Sequence, residues 1–407
     1  MNGSEGGKPL AGVRVLDFGH IVAAPFCTRI LADLGADVVK IETSLRKDFA
    51  GGTRTKSTGL DPEERPAAYH NINRNKRSLT INLKSEAGRA LAVRMAAVTD
   101  VWVENFSAGV MERLGLGPHD LKTQNPRLIF VSMSGYGHRG PRRDWRSMNL
   151  NLQAYSGLMT ATGNDGDPPV AISNSWNDFV GGLHACFGIL QALSDRNRSG
   201  SGAYLDLSQF ECSVASIGAL LFAASLNGEN PSRVGNRSAS GAVPQGCYRC
   251  AGEDNWCVIA VENDEHWHAL VEAMGNPSWA SDIKLQTLLG RMQRQDEIDG
   301  HLEQWTRQLQ NVEVERLLQA AGVPAERVRR IDEIVESRDE QSVFTPMKHP
   351  GQASRLVAKL PFAFSHHPLS SLRPAPQLGE HNRDILRHWA CLSDEEIAEL
   401  ESRGALE

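Results

Sequence analysis

An apolar run at Val13–Leu16, an amphipathic stretch at Cys27–Leu34 and a second apolar run at Val38–Ile41 read as strand, helix and strand. Two strands joined through a helix make a βαβ unit, so the N-terminal third is expected to build a parallel α/β sheet. Glu42 at the end of the second strand invites comparison with a dinucleotide-binding fold. The loop Gly19-His20-Ile21-Val22-Ala23-Ala24-Pro25 nevertheless lacks the G-x-G-x-x-G spacing that lets a pyrophosphate approach the helix backbone, which disfavours a nicotinamide dehydrogenase. The alternation continues with a helix at Glu86–Val98, a strand at Val101–Glu104, a helical turn at Val110–Leu114 and a strand at Leu128–Ser132.

A helix over Gln209–Leu226 is followed by the turn-rich break Asn227-Gly228-Glu229-Asn230-Pro231. Beyond it, Gly246–Arg249 and Trp256–Val261 read as strands, and His266–Met274, Gln295–Leu309 and Asn311–Ala321 as helices, which together make a smaller α/β region. Val343–Arg373 is rich in Pro, Ser and short apolar pairs and reads as a long return connection to a last helix beginning near Ser393.

With 407 residues, 41% of them hydrophobic, the chain can bury a large core. No run nears the roughly 20 apolar residues of a membrane span, and residues 1–12 lack a signal peptide's apolar core, so a cytoplasmic protein is expected. A net charge of -6 implies no general attraction to nucleic acid. The seven cysteines are odd in number and scattered, which points to free thiols. Cys247, Cys250 and Cys257 have no matching second pair and fit strand packing better than a metal knuckle, so no metal is assigned.

Asp178 opens a stretch in which Phe179, Leu183, Phe187, Leu190 and Leu193 recur at helical spacing, ending in Arg196-Asn197-Arg198-Ser199-Gly200-Ser201-Gly202. The spacing predicts a buried helix with Asp178 at its N-cap or first turn, where free N–H groups and the dipole favour the ionised carboxylate. A plain capping role explains such an aspartate as well, and helix geometry does not decide between cap and chemistry.

The Asp178 segment resembles the nucleophile segment of the class III coenzyme A transferases, the formyl-CoA transferase or CaiB/BaiF-type family. Further motifs agree in the family's order: Pro9–Asp17, Ala23-Ala24-Pro25, Leu34–Glu42, Asn75-Lys76-Arg77-Ser78, Glu104-Asn105-Phe106, Arg113-Leu114-Gly115, Asn125–Ile129, Ser134-Gly135-Tyr136-Gly137, Gly140-Pro141 and Leu378-Gly379-Glu380-His381-Asn382. The resemblance implies a Rossmann-like large domain with a parallel sheet (1–225), a smaller α/β domain (226–330), and a linker and tail (331–407) returning to the large domain. It also implies an interlocked homodimer, with a heteromer as the alternative assembly.

On the same resemblance, Asp178 would be the catalytic nucleophile, and coenzyme A would be held by Ile21, Val22, Ala23, Lys76, Asn105, Phe106, Arg113 and Arg146. No cofactor would be bound permanently; acyl-CoA thioesters and carboxylic acids would be the substrates. Val22 stands where formyl-specific members carry glutamine, Arg146 where they carry lysine, and Gly235–Gly241 is less glycine-rich than their site-covering loop. Arg146 retains a basic residue at its position, whereas Val22 and the Gly235–Gly241 stretch point away from formate and oxalate. A racemase-type member would need a histidine in a Gly-His-Asp context, and Trp145–Leu152 contains neither His nor Asp. A non-catalytic subunit of a heteromeric transferase is the other alternative.

Overall fold

Residues of the central strands face alternately into two apolar layers, so Val15 and Leu16 are both fully buried yet belong to different cores. The computed structural model describes residues 7–45, 67–228, 230–238, 241–337, 343–348, 354–367 and 372–406. The chain divides into two compact units, one comprising Met1–Leu158, Ala171–Gly228 and Ser342–Glu407, the other Met159–Val170 and Glu229–Gln341. This division gives Met159–Val170 and residues 331–341 to the second unit, where the expected ranges put the former in the large domain and the latter in the returning linker.

The first unit runs β1 (Arg14–Asp17), α1 (Ala23–Asp33), β2 (Asp37–Glu42), α2 (Ala67–Asn73), β3 (Arg77–Thr80), α3 (Glu86–Ala96), β4 (Val101–Glu104), α4 (Val110–Arg113), α5 (Pro118–Gln124), β5 (Ile129–Ser134), α6 (Asn149–Tyr155), α7 (Trp176–Ser199), β6 (Tyr204–Ser208), α8 (Gln209–Ser216) and α9 (Gly218–Asn227). Its strands form a six-stranded sheet in the order β3-β2-β1-β4-β5-β6, and each pairing is parallel. Strand order therefore reverses between β1 and β4, the place where the carboxyl ends of such a sheet open into a crevice. One face, with Val15, Val38, Val103 and Val131, packs on α1 and α7. The other, with Leu16, Trp102 and Phe130, packs on α3 and α5. Phe18, just after β1, stacks on Trp102 of β4 and Trp102 on Phe130 of β5, which meets Tyr204 of β6 edge-on.

The expected single helix over Gln209–Leu226 is corrected. Ile217 leaves helical geometry (φ -108, ψ 21), Gly218 follows, and α8 and α9 meet at a bend of 67°. Among the described residues no single helix is long and apolar enough to cross a membrane.

In the second unit, β7 (Gln245–Arg249), β8 (Trp256–Ala260) and, later in the chain, β9 form an antiparallel sheet. The helices α10 (Asp264–Ala273), α11 (Leu288–Gln293), α12 (Gln295–Thr306) and α13 (Asn311–Ala320) precede β9 (Ala325–Arg327), and α14 (Ile331–Glu336) follows it. Trp267, Leu270, Ile298, Leu302, Val314 and Leu318 pack with Cys257 and Ile259 as its core. Among the described residues no group of three His, Cys, Asp or Glu side chains could hold a metal ion.

Of the Gly235–Gly241 stretch, Ala239 and Ser240 lie outside the described residues. Arg237 is pinned to α12 by Asp296 (2.5 Å) and Asp299 (2.6 Å), and Tyr248 donates to Asp299 at 2.8 Å. The chain then forms an antiparallel pair, β10 (Phe344–Met347) with β11 (Arg355–Ala358), before α15 (Asn382–Trp389) and α16 (Asp394–Ser402). Ile385, Leu386 and Trp389 of α15 and Ile397 of α16 join the Leu16–Trp102 core, so the C-terminal segment completes the first unit.

Candidate functional site

Two left-handed residues, Asn174 (φ 61) and Ser175 (φ 54), turn the chain sharply into α7, and Ser175 makes no side-chain cap. Asp178 follows in the first turn, its N–H donating to the Ser175 carbonyl at 2.9 Å. The turn is braced from α6: Asn149 accepts the Asn177 N–H, and Gln153 exchanges two 2.8 Å bonds with the backbone of Ile172. Non-glycine residues held at positive φ mark places where the surrounding structure imposes the conformation.

Two glycines bring α7 close to its neighbours. A Cβ on Gly182 would stand 2.9 Å from the Ala23 carbonyl and 2.8 Å from Phe26, while one on Gly181 would press on Gln209 of α8 at 3.1 Å. Phe179 meets Phe26 edge-on at 4.8 Å. The residues flanking Asp178 thus rest on the first turn of α1, which begins in the loop leaving β1. Gly182→Ala is expected to lower stability by about 1–3 kcal/mol, because the carbonyl it strikes is backbone, and a thermal melt checks it.

Burial governs the charge state of Asp178. Desolvation raises its carboxyl to about 6, against a smaller opposing influence of Ser175. The expectation that the helix start favours ionisation is therefore outweighed, although at pH 7 the carboxylate still predominates.

At the reversal of strand order lies a cavity of about 690 Å³ walled by the segments that leave β1, β2, β3 and β4. Ile21, Asn105 and Phe106 line it, with His20, Thr43, Asn82 and Lys84. Asn105 clasps the first loop, accepting the His20 N–H at 2.8 Å and donating to the His20 carbonyl at 2.9 Å. Ile21 is held at φ 67, a costly conformation for a β-branched side chain, and is 43% exposed. The loop is supported from beneath: Asp17 accepts the Gly19 N–H, and Lys40 donates to the Gly19 carbonyl.

The other expected ligand-binding residues stand elsewhere. Val22 and Ala23 are buried at the start of α1, outside the cavity lining. Arg113 is exposed at the end of α4, whose Val110 lines the cavity together with the following Leu114. Arg146 is exposed and is not part of the lining.

Lys76 has a structural task. Its ammonium is fully buried and donates to Asp17 (2.8 Å), the Pro25 carbonyl (2.9 Å) and Asn73 (2.8 Å), so a phosphate contact would require breaking a buried ion pair. Thr43, Asn82 and Lys84 were not legible as site residues. They follow strands β2 and β3, and only strand order shows that those ends converge with those of β1 and β4.

The family model for CoA-transferase family III matches residues 10–382. A succinyl-CoA–D-citramalate CoA-transferase from Chloroflexus aurantiacus is 31% identical over 405 residues, covering 98% of each chain. A formyl-CoA:oxalate CoA-transferase from Streptomyces avermitilis is 31% identical over 417 residues, covering 98% of this chain and 100% of its own. The crystal structure of a CaiB/BaiF family protein from Brucella suis superposes with a TM-score of 0.85 at 29% identity, covering 93% of this chain and 99% of that one. An ordered set of motifs, a parallel sheet open at its switch point and near full-length similarity agree: the chain belongs to CoA-transferase family III and is a transferase acting on acyl-CoA thioesters and acids.

Proposed function

We propose that the protein moves coenzyme A from an acyl-CoA to a free carboxylic acid through covalent intermediates on Asp178. The observation that carries this is a half-buried carboxylate in the first turn of α7, raised to about 6 by desolvation. A desolvated carboxylate that remains ionised at neutral pH is a nucleophile needing no partner base. One Asp178 oxygen attacks the thioester carbonyl carbon, the C–S bond breaks, and CoA thiolate leaves a mixed anhydride. The thiolate attacks the aspartyl carbonyl, releasing the donor acid and leaving aspartyl-CoA. The acceptor carboxylate attacks that thioester, and the thiolate then attacks the acceptor's carbonyl, giving the new acyl-CoA and free Asp178. Thioester is exchanged for thioester, so no ATP is required.

Coenzyme A is assigned to the crevice of Ile21, Asn105 and Phe106, with Lys84 as a cation at its wall. Arg113 and Arg146, both exposed, are proposed as phosphate contacts at its approaches, and Val22 and Ala23 as the packing behind the first loop. Lys76 is left out of this set. Formate and oxalate are disfavoured as the acids transferred, on the absence of glutamine at Val22, and longer dicarboxylates such as succinate are the class proposed, by analogy with the similar succinyl-CoA-dependent transferase. The interlocked homodimer is carried over from the family resemblance, and α9, which buries none of its residues while exposing Phe222 (67%) and Leu226 (69%), supports a partner chain covering that face.

Intact-mass spectrometry after brief incubation with a panel of acyl-CoA thioesters tests the reading. The expected result is an adduct of one CoA, removed by hydroxylamine and absent from Asp178→Ala. Measurable CoA binding with no adduct from any donor would favour the non-catalytic subunit instead.

A pH profile gives a second check. Because Asp178 must be ionised to attack, kcat/KM is expected to fall about tenfold per pH unit below about 6, the value to which burial raises it. An acid limb near the ordinary 3.8 would mean that burial does not raise the Asp178 carboxyl, and the same limb persisting in Asp178→Glu or Asp178→Asn would mean that a different group controls the rate.

A further inference from the structure

At the carboxyl ends of β5 and β6 four aromatic rings close on one another. Tyr136, just past β5, lies 5.6 Å from Trp145, 5.9 Å from Tyr155 of α6 and 5.8 Å from Phe210 of α8, and Tyr155 is 5.5 Å from both Trp145 and Phe210. Rings clustered in this way usually belong to a core, yet Trp145 is 52% and Tyr155 43% exposed, so the cluster forms an open shelf.

Arg142 lies over the shelf, its guanidinium carbon 4.9 Å from the Tyr155 ring centre and 5.5 Å from that of Trp145. Its Nε is shielded from solvent and has no hydrogen-bond partner among the described residues. The neighbouring acids are engaged by other arginines: Arg139 approaches Asp206 at 3.8 Å, and Arg143 approaches Asp144 at 3.5 Å. Among the described residues no carboxylate stands within ion-pair distance of Arg142. A guanidinium held on two rings, with a desolvated N–H left over and no counter-ion, is preorganised for a planar anion such as a carboxylate.

The start of α7 relates this shelf to Asp178. Gly182 seats α7 on the first turn of α1, which follows the loop whose His20 and Ile21 line the crevice. Gly181, about one turn beyond Asp178, seats it on Gln209, the chain neighbour of Phe210. Helix α6 reaches the same turn from the shelf, since Asn149 accepts the Asn177 N–H and Tyr155 ends that helix. Asp178 therefore stands between the crevice, walled by segments leaving β1 to β4, and the shelf over β5 and β6. No residue of the segment leaving β5 lines the crevice.

We propose that the shelf binds the free acid and that Arg142 takes a second carboxylate at the acid's far end, which makes dicarboxylates the preferred acceptors. The near carboxylate attacks the aspartyl-CoA carbonyl carbon, the C–S bond breaks and the thiolate is released, as in the sequence above; Arg142 forms no covalent bond. The rings pack against the methylene chain and exclude water from the ion pair, which strengthens it. Arg142 is thus a specificity-determining residue, and the inference rests on reading Asp178 as the nucleophile.

The test loads wild type with whichever acyl-CoA gives the aspartyl-CoA adduct, removes excess donor by rapid desalting, and follows by intact mass the discharge of the adduct. The probes are straight-chain dicarboxylic acids from malonate to suberate and their monoamides, which keep the reacting carboxylate and the length but lack the second charge. At the best length the dicarboxylate is expected to reach a given discharge rate at about 10–100-fold lower concentration than its monoamide. Arg142→Gln should bring the two within about twofold by weakening the dicarboxylate alone. Arg142→Lys, which keeps the charge but not the fork, should retain part of the preference, and it carries the test if circular dichroism shows that Arg142→Gln does not fold.

No preference for a dicarboxylate at any length in wild type, an undiminished preference in the variants, or equal weakening of dicarboxylate and monoamide would overturn the proposal, while the adduct itself upholds the Asp178 reading. Coenzyme A affinity about tenfold weaker in Arg142→Gln would assign Arg142 to the cofactor's phosphates and overturn the proposal too. Absence of any adduct in wild type would overturn the Asp178 reading, and this proposal with it.

Discussion

Asp178→Ala is expected to lower kcat by about 10⁴-fold or more, since on the proposed mechanism it removes the atom that forms the covalent bond. Asp178→Glu keeps the carboxylate but displaces it by a methylene, and a misplacement of about 1 Å is expected to cost about 10²-fold. Asp178→Asn separates the two contributions of this side chain. The amide is no nucleophile, so turnover should be lost as in the alanine variant. Stability should move the other way. Burial raises the folded carboxyl from 3.8 to about 6, so folding binds a proton, and the carboxylate's unfavourable contribution grows as pH rises from 3.8 and is complete above about 6. Asp178→Asn should therefore melt at a higher temperature than wild type at pH 7.5, with the difference vanishing below about pH 4. A variant that is more stable and inactive would identify a side chain retained for chemistry. Turnover remaining within about tenfold of wild type in Asp178→Ala would return Asp178 to a helix-cap role.

The parallel sheet was legible because its central strands are short apolar runs separated by amphipathic helices, and β4 falls on Val101–Glu104 as periodicity places it. Strand β6 escaped for a physical reason. It is an edge strand, Tyr204-Leu205-Asp206-Leu207-Ser208, only half buried, and its alternation is masked by the turn before it and the helix that follows at once. Asn105 and Phe106 were accessible through a motif, and the crevice includes both. Lys84 carries no local signal, since a lysine two residues beyond Asn82 looks like any solvated side chain until strand order places β3 in the sheet. Lys76 misled in the opposite direction. Lysines are rarely buried, and only the folded chain reveals Asp17 beneath it.

The Asn75-Lys76-Arg77-Ser78 motif also leads to the second large effect, the loss of Asp33 at the end of α1. Asp33 is almost completely buried and accepts from Arg74 through both carboxylate oxygens, from Arg29 at 3.1 Å and from Asn75 at 2.7 Å. Its partners extend the connection to the returning C-terminal segment. Arg74 donates to the Ala358 carbonyl of β11, Asn75 bonds the Arg373 backbone in both directions, and Arg77 bridges Asp37 of β2 to Asp384 of α15. Asp33→Ala would leave Arg74, which is fully buried, without its counter-ion, and breaking such a pair by removing one partner costs about 3–5 kcal/mol. The expected result is a large fall in the denaturation midpoint, accompanied by earlier protease cleavage in the returning segment than in the central sheet. Asp33→Asn should recover part of the stability, because an amide oxygen can still accept from Arg74 but cannot balance its charge. If Asp33→Ala and Asp33→Asn were equally destabilised, with cleavage spread evenly over the chain, Asp33 would be an ordinary buried polar group and the returning segment would be held by α15 and α16 alone. The same residues that mark the family in sequence would then owe their pattern to the sheet edge rather than to the closure of the chain on itself.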